Sequence, residues 1–367
     1  MISLSDALEQ LLAHRPTIRT IRTAPEAALG RVLAAAVTAG CSSPGAPITL
    51  LDGWAVAAAE TVGASAYSPC FPARPPKPVT LGEALPLGCD AVLPPQAVAI
   101  APGLVEILAP AAPGEGVRAT GRDFTAGEIL VGRGDMLHAT GPELLRLAGV
   151  ESVETFIPQL QVLAREGSAD WLVELARREG VDCDLQSCVA PGEAAPPVRL
   201  SGSDTDIAIV VGDVAALENV DESRVLFREL AVRPGRFTVA ALLPRRADPQ
   251  VERIDPLITL FVADRVENLL AAWLLLVRPL LREAVDARAR KAQTVLPLAR
   301  KVVSDPGWSE MVLLRQAAEP GVGSPHWDVL ATGDLPFHAI ARADAWTLVE
   351  AASEGWAAGE PVAAEAL

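Results

Sequence analysis

Two arginines around a Pro-Gly pair, Arg233-Pro234-Gly235-Arg236, are the residues of this chain best suited to hold an anion. Guanidinium groups present fixed forks of N–H donors that match phosphate or carboxylate oxygens, and a tight turn brings two forks to one ligand. A solvated basic turn is the other reading of the same four residues. Upstream, the aliphatic run Ile207–Val211 meets Gly212-Asp213. An uninterrupted run of this kind is the pattern of a strand buried on both faces of a mainly parallel sheet. In open α/β sheets ligands sit beyond the carboxyl ends of such strands, where Gly212, Asp213 and the arginine turn are expected to emerge. Gly-Asp after a strand is also an ordinary turn.

Two acids are candidates for chemistry. Asp52 lies in Leu50-Leu51-Asp52-Gly53-Trp54-Ala55, and Asp123 lies in a glycine-punctuated segment, Gly114–Gly127, that also holds Arg118. An acid beside glycine within an apolar run either closes a turn or presents a carboxylate in a cleft, and both readings stand. The glycine spacing matches neither the dinucleotide fingerprint nor a P-loop. His14, His138, His326 and His338 lie on different segments without ligand spacing, so no metal site is expected from them.

The elements that position these residues follow from periodicity. Leu4, Ala7, Leu8, Leu11 and Leu12 form the stripe of an amphipathic helix. Thr23-Ala24-Pro25-Glu26 has the form of a capping box and predicts a second helix through Leu29 and Val32. From Cys41 to about Pro113 the density of prolines excludes long helices and central strands and predicts a β-rich insertion. Thr140 and Glu143 predict the cap of a helix closed by Gly149. Beyond Val150 strands and helices alternate: a strand at Gln159–Ala164, a helix after Ser168, strands near Val181–Leu185, Ile207–Val211, Phe237–Leu243 and Leu257–Val262, then a long apolar helix from about Val266 to Ala284. Alternation predicts an α/β layer with a largely parallel sheet. From about Arg288 short strands with turns at Asp305-Pro306-Gly307, Pro320-Gly321 and Thr332-Gly333-Asp334 predict a small β-barrel.

Composition narrows the partners. At 367 residues the chain is long enough for two to four domains. A formal net charge of −15 argues against nucleic acid and anionic membrane surfaces, so an anionic ligand needs a local basic pocket. The five cysteines, an odd number without a C-x-x-C pair, predict a reducing compartment and no structural zinc. With no basic, apolar leader in the first residues and no apolar run longer than Leu269–Val277, a cytoplasmic location is expected.

Several phrases, in order, resemble the molybdopterin molybdenumtransferase family (MoeA and the gephyrin E domain). Leu51-Asp52-Gly53-Trp54-Ala55 is similar to the family's M-D-G-Y-A, and Gly82–Val92 to G-A-P-L-P-E-G-A-D-A-V. Gly114–Gly127 is similar to G-E-N-I-R-x-x-G-E-D-I-x-x-G, with Arg118, Gly121, Asp123 and Gly127 in place. Leu230–Arg236 resembles V-A-M-K-P-G-K, and Ala341–Ala345 with Glu354-Gly355 and Ala358-Gly359-Glu360 resembles the last domain. The resemblance implies an α/β multidomain, elongated homodimer of four parts: residues 1–42 with 114–156, a proline-rich β part at 43–113, a molybdopterin-binding-like α/β part at 157–288, and a β-barrel at 289–367. It implies a protein of molybdenum-cofactor biosynthesis that handles molybdopterin or its adenylate, with Mg2+ and molybdate where it is catalytic, and with proteins of that pathway as partners. Asp52 and Asp123 are then the catalytic candidates, and Arg118, Gly212, Asp213, Arg233 and Arg236 the ligand-binding ones.

The departures from the pattern predict weak or absent catalysis, with a non-catalytic molybdopterin carrier or scaffold as the alternative. The family's T-G-D-E-L phrase after the first strand is Ala164-Arg165-Glu166-Gly167 here. Its S-S-G-G is Val210-Val211-Gly212-Asp213, and the lysine expected four residues before Arg233 is Glu229. No L-P-G-N-P turn precedes the long helix, G-R-x-E-F has become Gly307–Met311, and an expected serine pair falls on His338-Ala339. If the arginine turn is an anion receptor, replacing Arg233 with alanine is expected to weaken phosphate binding by about 1.5–3 kcal/mol and to leave the melting temperature nearly unchanged.

Overall fold

With no polar residue among its five, the Ile207–Val211 strand has no face to give to solvent, and it is fully buried inside a six-stranded sheet. The computed structural model describes residues 1–101, 104–187, 204–212, 220–245, 255–288, 293–318 and 324–367. The order across the sheet is Asp182–Ser187, Gln159–Ala164, Ile207–Val211, Leu257–Val262, Val239–Leu243 and Val225–Phe227. The first four strands are parallel, the fifth runs antiparallel to them, and the sixth is antiparallel to the fifth. The sheet is therefore mixed, and its parallel half has all its carboxyl ends at one edge. Val239 faces Phe261 in register, which delivers the preceding Arg233–Arg236 turn to that same edge.

The Asp170–Arg178 helix joins the first two parallel strands and buries Leu172 and Ala176 against them. The long apolar helix is continuous from Val266 to Ala284 but passes through a π turn at Trp273–Val277. Pro279 follows that turn; it has no N–H to bond a preceding carbonyl, and widening the helix relieves the clash of its ring. One core unites this helix and the sheet with Ala7 and Leu11 of the N-terminal helix, and with Met311, Leu313 and Trp346 of the C-terminal part. The chain start is also tied by backbone bonds, from Ile2 N–H to the Glu229 carbonyl (2.9 Å) and from Ala231 N–H to the Ile2 carbonyl (2.7 Å).

The second predicted helix does not form beyond a single 3-10 turn, Pro25–Ala28, with no side-chain cap. Gly30 takes a left-handed conformation (φ 75°), and the next residues are drawn into bridges with Met136 and Thr155. Long-range pairing thus overrides the local helix signal. Thr140 does precede a helix, Gly141–Leu147, but its side chain makes no capping bond, and Glu143 pairs with Arg146 instead.

The proline-rich stretch is built from short strands: Gly53–Val56 between Lys77–Val79 and Ala91–Leu93, the hairpin of Val98–Ala101 with Leu104–Ile107, and Ile48–Thr49 against Val117–Arg118. Gly53 is required there, because any Cβ would collide with the Leu93 carbonyl of the paired strand. In the C-terminal part Ser309–Ala317 is flanked by His326–Thr332 and Ala345–Val349, and the sheet continues through Pro361–Ala366 to Gln293–Pro297. The two-residue Val232–Arg233 strand joins its other side in parallel, so the arginine turn is held between the two large sheets. The turn predicted at Pro320-Gly321 lies outside the described residues. Among the described residues no helix is long and apolar enough to cross a membrane.

Candidate anion site at the carboxyl edge of the sheet

Arg233 and Arg236 are brought together as the turn predicts, but a tryptophan stands between them. The Arg233 guanidinium lies 4.2 Å from the centre of the Trp308 ring and that of Arg236 lies 5.6 Å from it, with Phe237 5.0 Å from Arg236. Such stacking fixes the planar groups without consuming their donors. The turn itself is pinned by Asn268, whose side-chain oxygen accepts from Gly235 N–H at 3.1 Å.

The donors are met by acids. Arg233 donates to Asp305 (2.7 Å) and to Glu310 (3.1 Å). The hydrogen bond to Asp305 is the largest influence holding its guanidinium above the ordinary arginine range, with Glu310 adding to it. Arg236 donates to Glu229 (3.2 and 3.3 Å), the residue that stands where the resemblance leads one to expect lysine. Arg165, at the end of the Gln159–Ala164 strand, pairs with Asp264 at the end of Leu257–Val262, and Arg265 pairs with Glu267. Every arginine named at this edge thus carries a carboxylate of the chain itself. An incoming anion has to displace or share these partners.

Gly212 continues the ladder, donating to the Val262 carbonyl at 3.0 Å, and among the described residues nothing stands within 4 Å of where its Cβ would be. Asp213 lies outside the described residues.

The remaining candidates form a separate group. Arg118 pairs with Asp123, whose other oxygen accepts from the Ser43 hydroxyl at 3.2 Å, while the Asp123 N–H donates to the Ser43 carbonyl at 2.8 Å. The Gly114–Gly127 segment is therefore knitted to the Cys41–Pro44 turn, with Gly121 (φ 69°) supplying the left-handed residue between the two charges. Asp52 is elsewhere in the insertion, accepting from Leu81 N–H at 2.7 Å. Each acid makes the bonds a turn needs, and each keeps lone pairs to spare.

Sequence reasoning missed Asp305, Trp308, Glu310, Asp264 and Asn268. Trp308 and Glu310 fall in the phrase Gly307–Met311, whose altered form was the only signal; nothing local ties it to a turn more than seventy residues earlier.

Residues 2–149 match the model of the MoeA N-terminal region, domains I and II. A molybdopterin molybdenumtransferase of Synechocystis is 28% identical over 194 residues, an alignment that covers 48% of this chain and 49% of that protein. This chain thus spans about half the length of that curated relative. Among solved structures, a molybdopterin biosynthesis moeA protein from Pyrococcus horikoshii superimposes over the full length of both chains with a TM-score of 0.78 at 19% identity. A molybdenum cofactor biosynthesis protein from Pyrococcus furiosus does so with a TM-score of 0.63 at 16% identity. The N-terminal part of the chain, residues 2–149, is thus matched to the MoeA family, and the chain as a whole shares the fold of solved MoeA proteins. The N-terminal match contains Asp52, Arg118 and Asp123, whereas the arginine turn and its acids lie in the part where only the fold is alike.

Proposed function

We propose that this protein belongs to the MoeA family throughout its length, works in molybdenum-cofactor biosynthesis, binds molybdopterin or its adenylate at the carboxyl edge of the mixed sheet, and turns over little or none by itself. The observation that carries the reading is the pairing of Arg165, Arg233, Arg236 and Arg265 with acids of the same chain. Transition-state stabilisation of a transferring phosphate depends on preorganised cations and donors, and losing one commonly costs about two to three orders of magnitude in rate. Here Glu229 offsets one guanidinium, Asp305 and Glu310 offset another, and Val210 and Val211 bring no hydroxyl.

The donor set does not fit Mg2+. A hard divalent cation takes about six oxygens, of which a protein site supplies several from converging carboxylates. Asp52 and Asp123 belong to separate loops, and among the described residues no three His, Cys, Asp or Glu side chains gather to hold a metal. No step is therefore assigned to magnesium here, and molybdate would be a substrate rather than a resident group. A non-catalytic carrier or scaffold for proteins of the pathway is the second reading, favoured by the same self-neutralised edge.

In this reading residues 1–42 with 114–156, 43–113, 157–288 and 289–367 act as four domains, the last a barrel closed on its own core, and the protein works as a cytoplasmic homodimer. Light scattering at several concentrations is expected to give twice the chain mass of 38.4 kDa; a monomer mass throughout would contradict the dimer. Function is tested by titrating purified protein with molybdopterin and by complementing a strain that lacks its molybdenumtransferase. Binding without complementation is expected. Complementation at the level of an intact MoeA would overturn the reading of weak turnover, and no binding would remove molybdopterin as the ligand.

A further inference from the structure

At the opposite, amino edge of the sheet a cavity of about 150 Å3 opens between Pro158 and Val181, which precede two parallel strands, and the long helix. Val32, Phe156, Val181, Leu281 and Val285 give it apolar walls, and Arg178, Glu179, Arg278 and Arg282 line it as well. A cavity of about this volume accommodates one benzene-sized ring. Glu179 receives two arginines at once, Arg278 at 2.9 Å and Arg282 at 4.0 Å, and Arg278 also reaches Glu365 at 3.4 Å.

Arg282 is the loose member. Its side chain is only 29% exposed, it makes no hydrogen bond with the described residues, and the acid nearest to it is already engaged by Arg278. Burial is the main influence lowering its affinity for its proton, and the neighbouring Arg278 adds to it. Trp273, completely buried in the cavity wall, has an indole N–H without an acceptor among the described residues. A buried donor left unmet costs on the order of 1–3 kcal/mol, so the Trp273 indole N–H beside the weakly paired Arg282 favours an added acceptor in this cavity.

We propose that this cavity is a binding site for a small monocarboxylate with a single apolar ring, its carboxylate on Arg282 and its ring against Phe156 and Leu281. The site is distinct from the carboxyl-edge turn, and it joins a segment of the N-terminal half to the α/β sheet, so an occupant bridges the two. The probe is 4-fluorobenzoate, followed by fluorine NMR on the full chain, with 4-fluorobenzamide as the neutral isostere. Saturable binding of the acid is expected, with the amide weaker by about tenfold or more, the value of a charge-assisted bond. Arg282→Met is expected to lose about tenfold in affinity, and Arg282→Lys, which keeps the charge without the fork, to lose less. Equal affinity for acid and amide would overturn the site whatever the variants do. So would an Arg282→Met protein that binds like wild type, or the absence of saturation up to about 10 mM, where affinity falls below a useful minimum.

Discussion

Replacing Arg233 with methionine is expected to destabilise the protein as well as weaken any anion binding. The guanidinium makes three interactions that methionine cannot: the bond to Asp305, the bond to Glu310, and the stack on Trp308. Asp305 is 72% exposed and returns to water, so its loss contributes roughly 0–1 kcal/mol. The stack, at a site 37% exposed, contributes about 0.5–1 kcal/mol. Glu310 decides the outcome, because its side chain is only 8% exposed and would be left as a nearly buried acid facing a thioether. Stranding it costs about 1–3 kcal/mol, for a total of about 1.5–5 kcal/mol. The double variant Arg233→Met with Glu310→Gln removes the stranded charge and is expected to recover about half of the loss. Urea titration of both variants, followed by near-ultraviolet circular dichroism, measures the difference. An Arg233→Met transition within about 0.5 kcal/mol of wild type, the range of an ordinary surface change, would refute the coupling. It would return the arginine to the independent turn that the sequence alone predicts.

Glu229→Gln removes the acid from Arg236 in a pair that is 47% and 36% exposed, so it is expected to cost less than about 1 kcal/mol of stability. It is expected to strengthen pyrophosphate binding about five- to thirtyfold, since a like charge near an anion at intermediate dielectric is worth about 1–2 kcal/mol; calorimetric titration showing no gain would separate Arg236 from the ligand. Burial pushes the Cys183 thiol up to about 11 from 9.0, so it is expected to alkylate much more slowly at pH 8.5 than the exposed Cys41. The folded state holds that proton more tightly than the unfolded chain, so the contribution is intact below pH 9 and is lost as pH rises from about 9 to about 11. Cys183→Ala is expected to flatten the fall in stability over that window; an unchanged slope would contradict it.

What could be read in the sequence was what local pattern dictates. Ile207–Val211 announces a doubly buried parallel strand because five aliphatic residues leave no solvent face, and it pairs in parallel on both sides. The prolines of the insertion forbid long elements, and its described residues form only short strands and 3-10 turns. The helix expected from Thr23 to Val32 was misjudged because bridges to Met136 and Thr155 compete for its backbone, and no window around Pro25 contains those partners. The arginine turn lies at the carboxyl edge as expected, but only because Val239–Leu243 runs antiparallel to Leu257–Val262, which a largely parallel sheet does not foretell. Its electrostatic state was not legible either. Asp305 and Glu310 are more than seventy residues downstream, and only the parallel pairing of Val232-Arg233 with Ser309-Glu310 sets them against Arg233.

The central claim is that the carboxyl edge recognises a molybdopterin phosphate but has spent its cations on its own acids. It is tested most directly by supplying the purified protein with adenylylated molybdopterin, magnesium and molybdate and following AMP release beside an intact MoeA. A rate at least about a hundredfold below that enzyme is predicted, from the loss of preorganised donors. A comparable rate would contradict the account and mean that Asp52, Asp123 and groups beyond the named arginines rebuild the site.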